Sequence, residues 1–214
     1  MRRLPSQVPR PPAVAGQFYP ADPERLAKTV EGFLGSVPPG GDPGVVALLS
    51  PHAGDDYSGK VAARAYRALP AGAFDSVVVV GAGHCKAVAG AALYPGDYGS
   101  PLGALLFDAE LAGKMLSESE LIVPDPTAHA GEHSVEVQVP FILKTLGSVK
   151  AVCLLMNTSE LADAVAVGHA LARSLAGRKT LLVASTDLSH FPTSATADLV
   201  DPTTLEALAL MDPA

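Results

Sequence analysis

The sequence predicts an α/β fold, a layered α/β/α sandwich in which helices cover both faces of a mostly parallel or mixed central sheet. Two observations support this class. Short continuous apolar runs, typical of strands that are buried on both faces, recur along the chain, and segments with helical spacing of apolar residues alternate with them. A length of 214 residues with 48% apolar side chains is enough for one domain with a sizeable core.

The first third of the chain predicts an arm, a helix and a strand followed by a helix. Residues 1–12 are basic and rich in proline, which predicts a flexible N-terminal arm, and residues 13–214 are predicted to form a single domain. The Asp-Pro pair at 22–23 is typical of a helix start, because aspartate caps the helix and proline fits its first turn. The apolar run 45–49 predicts a buried strand, and a helix is expected over 59–69.

The remaining two thirds continue the alternation of strands and helices. Alternating valines over 135–139 fit a strand as well as a helix. The other predicted elements, in chain order, are a strand over 76–80, hairpin-like structure over 91–106, a helix over 108–116, a strand over 149–156, a helix over 160–175, a strand over 180–185 and a helix over 203–211.

Three histidines lie a few residues beyond the ends of three predicted strands. They are His52, His84 and His190, and Asp187 comes three residues before His190. Ligands of open α/β sheets bind at the carboxyl ends of the strands, so these side chains would meet if the three strands are parallel neighbours. Imidazole binds transition metals and transfers protons near neutral pH. A single loop histidine is usually structural, but the recurrence at three strand ends favours a functional site.

A second stretch, AHAGEHSVEVQVPF, also contains residues with functional chemistry. Its His129-x-x-Glu132-His133 formally matches the inverted zinc-protease motif. That motif requires a helix that presents both histidines on one face, and Gly131 inside it disfavours such a helix. We therefore expect His133 to be structural or to line a pocket.

Two weaker features follow the strand at 76–80. Gly81 and Gly83 lack the third glycine of a dinucleotide-binding loop, because Lys86 occupies that position. The glycines are interpreted as a tight turn that directs His84. Cys85 is expected to be a buried, unreactive thiol.

Composition limits the class of partner. The net charge of −7, without a stripe of Lys and Arg, argues against nucleic-acid binding and favours a protein that acts on small molecules. Two cysteines do not make a disulfide scaffold. No apolar run is long enough to cross a membrane and no signal peptide is recognised, so we expect no membrane association and a cytoplasmic location.

Six segments match, in order and over nearly the whole chain, the pattern of one family. They are PAVAGQFYPADP (12–23), SPHAGDDYSGKVAARAY (50–66), VVGAGHC (79–85), SPLGALLFD (100–108), EHSVEVQVPF (132–141) and STDLSHF (185–191). On these segments the chain resembles the Memo-like family, also called AmmeMemoRadiSam system protein B. Six segments in the correct order make the resemblance specific.

The resemblance implies a fold similar to the class III extradiol ring-cleaving (LigB-like) dioxygenases, in which two histidines and a carboxylate hold Fe(II). It implies His52 and His84 as metal ligands, His190 as an acid/base with Asp187 beside it, and His133 as a further pocket residue. The implied cofactor is a divalent transition metal, Fe(II) first and copper or zinc as alternatives. The implied activity is oxidation of a small aromatic or chelating substrate. The alternative is a non-catalytic protein that uses the same pocket to hold a peptide or ligand.

The chain departs from the family pattern in two places. The family usually has an aromatic residue at the position of Asp55. Its third metal ligand is a cysteine in a Cys-Gly step beyond the segment that residues 208–214 resemble, so we expect a C-terminally incomplete domain. Alternatively, the third ligand is missing or is supplied by Asp55, Asp56 or Asp187, although loop carboxylates are usually only solvated. An incompletely covered apolar edge would also favour a homo-oligomer.

Overall fold

The structure, a computed structural model, describes residues 9–210, and within them eight strands and seven α-helices. The strands are β1 (Ala47–Ser50), β2 (Ser76–Ala82), β3 (Val88–Leu93), β4 (Tyr98–Ser100), β5 (Gly103–Phe107), β6 (Ile122–Pro124), β7 (Lys150–Asn157) and β8 (Thr180–Ser185). The helices are α1 (Pro23–Gly35), α2 (Asp55–Arg67), α3 (Ala109–Glu118), α4 (Pro126–His129), α5 (Val139–Thr145), α6 (Leu161–Leu175) and α7 (Ser194–Leu210). A 3-10 turn, Glu136–Gln138, leads into α5.

The strands form one mixed, mostly parallel sheet in the order β1-β8-β2-β7-β3-β6. Strands β1, β8, β2 and β7 are parallel neighbours, whereas β3 runs antiparallel to β7. Strand β5 pairs with the beginning of β7 and forms a hairpin with β4. The carboxyl ends of β1, β8 and β2 therefore lie side by side at one edge of the sheet.

Helices cover both faces of this sheet, which confirms the predicted α/β/α layering. One core lies on the side of α1, α2 and α5 and contains Leu26, Tyr66 and Phe141. The other lies beneath α3 and α6 and contains Met115 and Val167. Each fully buried large apolar side chain contributes about 1.5–3 kcal/mol. Within residues 9–210, no helix has the length and apolar character needed to cross a bilayer.

The predicted elements agree in type with their observed counterparts, but several bounds differ, and β6 and α4 were not predicted. Helix α7 begins at Ser194, nine residues before the helix predicted over 203–211. Helix α2 begins at Asp55 and not at residue 59, because Gly54 takes the cap position and acidic residues suit a first helical turn. The ambiguous segment 135–139 is helical. The predicted hairpin region divides, since β3 joins the main sheet and only β4 and β5 form the hairpin. Asp22 caps α1 as expected, accepting a hydrogen bond from the backbone of Arg25 at 2.8 Å.

Of the predicted N-terminal arm, residues 9–12 are described and the first eight residues lie outside the described part. Arg10 is buried. Its guanidinium donates to the carboxylate of Glu136 at 2.5 Å and to the carbonyl oxygens of Glu132 and His129 at 2.5 and 2.7 Å. It also stacks over the ring of Tyr98. The buried cation fixes this segment because Glu136 compensates its charge.

Candidate metal site at the ends of three parallel strands

The side chains that follow β1, β2 and β8 come together at one edge of the sheet. The pairing register aligns Ser50 of β1 with Ser185 of β8, which in turn pairs with Gly81 of β2. The ring centroids of His52 and His84 lie 5.1 Å apart, and His190 lies 6.1 and 5.9 Å from them. The parallel arrangement of β1, β8 and β2 thus brings His52, His84 and His190 together, as expected from the sequence.

His133 joins these residues from the segment between α4 and the 3-10 turn. Its ring stacks on His84 at 4.6 Å and lies 5.5 Å from His52. The ligating atoms of His52, His84 and His133 all lie within 4.8 Å of one another, and so do those of His52, Asp187 and His190. We call these five residues the histidine cluster. His52 belongs to both groups and occupies the centre.

The hydrogen bonds around His52 determine its tautomer. Its Nδ1 lies 3.2 Å from the hydroxyl oxygen of Ser185. That hydroxyl donates its proton to the carbonyl oxygen of Ser134 at 2.5 Å and accepts from Gln138 Nε2 at 2.8 Å. Because a hydroxyl has one proton to give, Nδ1 of His52 must be the donor, and Nε2 carries a lone pair. His52 is 1% exposed, and this Nε2 has no hydrogen-bond partner among the described residues.

Glu132 orients His84 in the same way. Burial alone would raise the pKa of this fully buried carboxyl group, but hydrogen bonds from the backbone of Ser134, from the ring and backbone of His84 and from the backbone of His133 lower the pKa to about 2. The ionised carboxylate only accepts, so His84 Nδ1 donates to it at 3.0 Å. The Nε2 of His84 is left with its lone pair. A carboxylate behind a histidine is a typical support for a metal ligand.

The electrostatics keep two of the imidazoles neutral. Burial lowers the pKa of His52, and the charge of Asp187 opposes this shift only in part. Burial also lowers the pKa of His133, against the opposing charge of Glu132. Neutral imidazole is the form that binds metal, so these two rings need no deprotonation at neutral pH.

Asp187 contacts both His52 and His190. Its Oδ1 accepts from the backbone N–H of His52 at 2.7 Å, which fixes the loop after β1. Its Oδ2 lies 3.9 Å from His52 Nε2 and 3.7 Å from His190 Nε2. The side chain of His190 is 46% exposed, so it can exchange protons with solvent.

A cavity of about 460 Å³ opens next to Asp187 and His190. Phe191 at its edge adopts a left-handed backbone conformation, with φ of 53°, and its side chain is fully exposed. Such a conformation in a bulky residue is uncommon and costs about 1 kcal/mol or more. The apolar side chains lining this cavity are those of Leu49, Val61, Leu188, Phe191 and Leu205.

The protease motif does not form a site. Helix α4 ends at His129, so His129 and His133 do not share a helix face. His129 is buried, hydrogen-bonded through Nε2 to the carbonyl of Ala92 at 3.0 Å, and burial lowers its pKa to about 4. Because the carboxylate of Glu132 is occupied by its own donors, it is not available as a general base.

Gly81 lies within β2 and has a packing role, and Cys85 differs from its prediction. A Cβ on Gly81 would lie 2.4 Å from Ser134 Oγ, so glycine lets the segment that carries His133 approach the strand. Cys85 is exposed, not buried, because it lies beyond the strand end at the rim. Its Sγ donates to the carbonyl of Gly131 at 3.4 Å.

The two loop carboxylates considered as a third ligand are outside the histidine cluster. Asp55 is not a solvated loop residue, since it begins α2 and is 5% exposed. Asp55 and Asp56 line a different cavity, and neither belongs to a group of ligating atoms that includes His52.

Several residues that organise the site were not recognised from the sequence. These residues are Arg10, Glu132, Gln138 and Ser185. Each of them contacts residues that are far away in the sequence. One local signal was present, because Glu136 and Gln138 interrupt an apolar segment at positions where only a buried hydrogen-bonded network accommodates polar side chains.

Fold and cluster together define an α/β sandwich protein with histidines at the ends of adjacent parallel strands, close enough to hold one metal ion. The family model for Memo-like proteins matches residues 10–214, and the chain belongs to the Memo-like family. It is 39% identical to a MEMO1 family protein of Methanopyrus kandleri, over 96% of this chain and 77% of the relative. MEMO1 family proteins of Methanobrevibacter smithii and Methanothermobacter thermautotrophicus are each 36% identical, over 95% of this chain and 77% of the relative.

Proposed function

We propose that this protein binds a divalent transition metal at the histidine cluster and oxidises a small aromatic or chelating substrate with dioxygen. One observation carries the proposal. The Nε2 lone pair of His52 is buried without a partner at the centre of the cluster. A buried acceptor without a partner costs about 1–3 kcal/mol, which a metal ion at this position would offset.

The donors present fit such an ion. His52 and His84 would hold it through their Nε2 atoms, and His133 would supply a third nitrogen, since the ligating atoms of these residues lie within 4.8 Å of one another. Imidazole ligands suit iron, copper and zinc, and Fe(II) is the metal that the resemblance to extradiol dioxygenases favours. Asp187, next to His52, would balance the positive charge.

The protein's own residues position the substrate and move the proton. When bound, the metal would supply Lewis-acid activation and, if it is iron or copper, electron transfer. The apolar wall of the 460 Å³ cavity would take the aromatic ring and exclude water from it. His190 would accept the proton of a substrate hydroxyl at Nε2, and Asp187, 3.7 Å away, would stabilise the imidazolium that forms.

A second candidate is a binding protein without turnover. The exposed Phe191 and the open apolar cavity beside His190 favour it, because they offer a surface to a peptide or small ligand. The two functions differ in oxygen consumption, which only the oxidoreductase shows with a catechol-type substrate.

Metal analysis after anaerobic loading with Fe(II), Cu(II) or Zn(II) tests metal binding. We expect about one equivalent on the wild type, loss of the metal in His52→Ala, and retention in His169→Ala, which changes an exposed histidine on α6. Absence of stoichiometric metal, or equal metal in His52→Ala, would refute the proposed site. For the loaded protein we expect catechol-dependent oxygen uptake that His190→Ala lowers about 100-fold at unchanged metal content. Metal binding without any uptake would establish the binding protein instead.

A further inference from the structure

A second cavity, of about 260 Å³, lies at the N-terminal end of α2. Its walls are the segment 16–22, Arg25 and Thr29 of α1, and Asp55 and Asp56 of α2. None of the five residues of the histidine cluster lines it. The cavity is therefore a separate place on the molecule with its own chemistry.

The carboxylate of Asp55 is the unusual group in this cavity. The residue is 5% exposed, yet its Oδ2 has no hydrogen-bond partner among the described residues. Only its backbone is fixed, by an N–H donated to the carbonyl of Phe18 at 2.8 Å. Burial and the neighbouring charge of Asp56 raise the pKa of Asp55 to about 7. Buried polar atoms in folded proteins almost always have a partner, so this carboxylate lacks a donor.

The cavity also contains an unused positive charge. Arg25 is exposed, and its guanidinium makes no hydrogen bond or ion pair with any described residue, Asp55 included. A free guanidinium and a free buried carboxylate thus face the same small space. A ligand with one group of each charge would satisfy both.

A metal ion fits these walls less well. Within residues 9–210, the carboxylates of Asp22, Asp55 and Asp56 do not form a group of three ligating atoms within 4.8 Å of one another. Asp22 Oδ1 is already occupied as the cap of α1. A hard cation such as Mg²⁺ or Ca²⁺ needs about six oxygen ligands, whereas an ammonium group needs only one well-placed carboxylate.

We propose that this cavity binds a small amino-acid-like zwitterion, with its ammonium group on Asp55 and its carboxylate on Arg25. The volume of about 260 Å³ lies just below the range of about 300–1,000 Å³ that is typical of small-molecule sites, which suits a ligand of few non-hydrogen atoms. The site is independent of the metal proposed for the histidine cluster.

Chemical-shift perturbation of backbone amides in the full chain tests this site. The probes are glycine, ethylammonium, acetate, tetramethylammonium and Ca²⁺. We expect glycine to shift the amides of 16–22 and 55–56 at millimolar concentration. Ethylammonium should act more weakly, and acetate and tetramethylammonium should have no effect, because neither donates an N–H to Asp55. No response to glycine, or a response to Ca²⁺ alone, would overturn the proposal.

Two variants separate the roles of the charged groups. Asp55→Asn should weaken glycine binding at least tenfold, since a hydrogen bond between charged groups is lost, whereas Asp56→Asn, at an exposed carboxylate, should change it less than about threefold. If Asp55→Asn does not fold, Arg25→Gln at an exposed site should remove the preference for glycine over ethylammonium. Unchanged glycine binding in the folded variant would contradict the assignment. The same titration on His52→Ala should match the wild type, which separates this result from metal binding.

Discussion

Glu132 and Asp55 are both buried carboxylates, and their surroundings differ sharply. Glu132 is fully buried and accepts five hydrogen bonds, four from backbone N–H groups and one from a histidine ring. Asp55 is buried almost as deeply and accepts none from the residues that the structure describes. The pKa of the first is lowered to about 2 and that of the second is raised to about 7. The ionisation of these two carboxyl groups therefore follows the number of hydrogen bonds that each accepts and not the depth of burial.

The two carboxylates also serve the molecule differently. Glu132 is a permanent anion that fixes the segment from His84 to Cys85 against the segment that carries His133. Ionisation of Asp55 costs free energy unless a cation occupies its cavity. Three substitutions test this difference.

The largest effect is expected for Glu132→Ala. Removing the anion leaves four backbone N–H groups and the ring of His84 without an acceptor inside the protein. We expect the free energy of unfolding to fall by about 4 kcal/mol, measured by urea denaturation at pH 7. Glu110→Gln, at a carboxylate whose side chain is 86% exposed, should change it by less than about 0.5 kcal/mol. Equal stability of both variants would contradict the organising role of Glu132.

Asp55→Asn should raise the free energy of unfolding, and the size of this increase should depend on pH. The pKa of Asp55 is raised in the folded protein, from 3.8 to about 7, so ionisation opposes folding. The stability contributed by the protonated form is complete below about pH 4 and is lost as the pH rises through 7. Because asparagine does not titrate, the variant should be more stable than the wild type by a few kcal/mol at pH 8 and about equal at pH 4. Denaturation curves without added ligand at both pH values measure this, and a difference independent of pH would show that Asp55 is an ordinary acid.

Ser185→Ala should have the smallest effect of the three. The Ser185 hydroxyl does for His52 what Glu132 does for His84, but it is a neutral acceptor at 3.2 Å. Its loss leaves both tautomers of His52 accessible, and we expect about tenfold weaker metal binding in a competition titration. Ser174→Ala, at an equally buried serine on α6, is the matched control and should bind metal as the wild type does. Similar losses in both variants would assign the effect to general destabilisation.

The features of the structure that depend on local sequence patterns can be predicted from the sequence. Apolar runs identify β1, β2, β7 and β8 to within two residues at each end, and the ends of β1, β2 and β8 place His52, His84 and His190 at one edge of the sheet. The supports behind these histidines depend on contacts between distant parts of the chain. The bond between Glu132 and His84 joins residues 48 positions apart, and no local pattern encodes it.

The prediction for Asp55 was wrong for a different reason, because the start of helix α2 was placed about one turn too late. Its sequence context suggested a loop, where carboxylates are solvated. Helix α2 instead begins at Asp55, and this turns the side chain into the cavity beside α1. A shift of a helix start by one turn thus decides whether a carboxylate is exposed or buried.

The buried guanidinium of Arg10 also affects how the protein is made. Glu136 leaves the ribosome 126 residues after Arg10. At a synthesis rate of about 5–20 residues per second, the nascent arginine waits about 6–25 seconds for its partner. The segment that carries Arg10 is therefore fixed only after the segment that carries His133 has been synthesised. If the chain were shortened so that it lacked Arg10, Glu136 would be a buried anion without this cation.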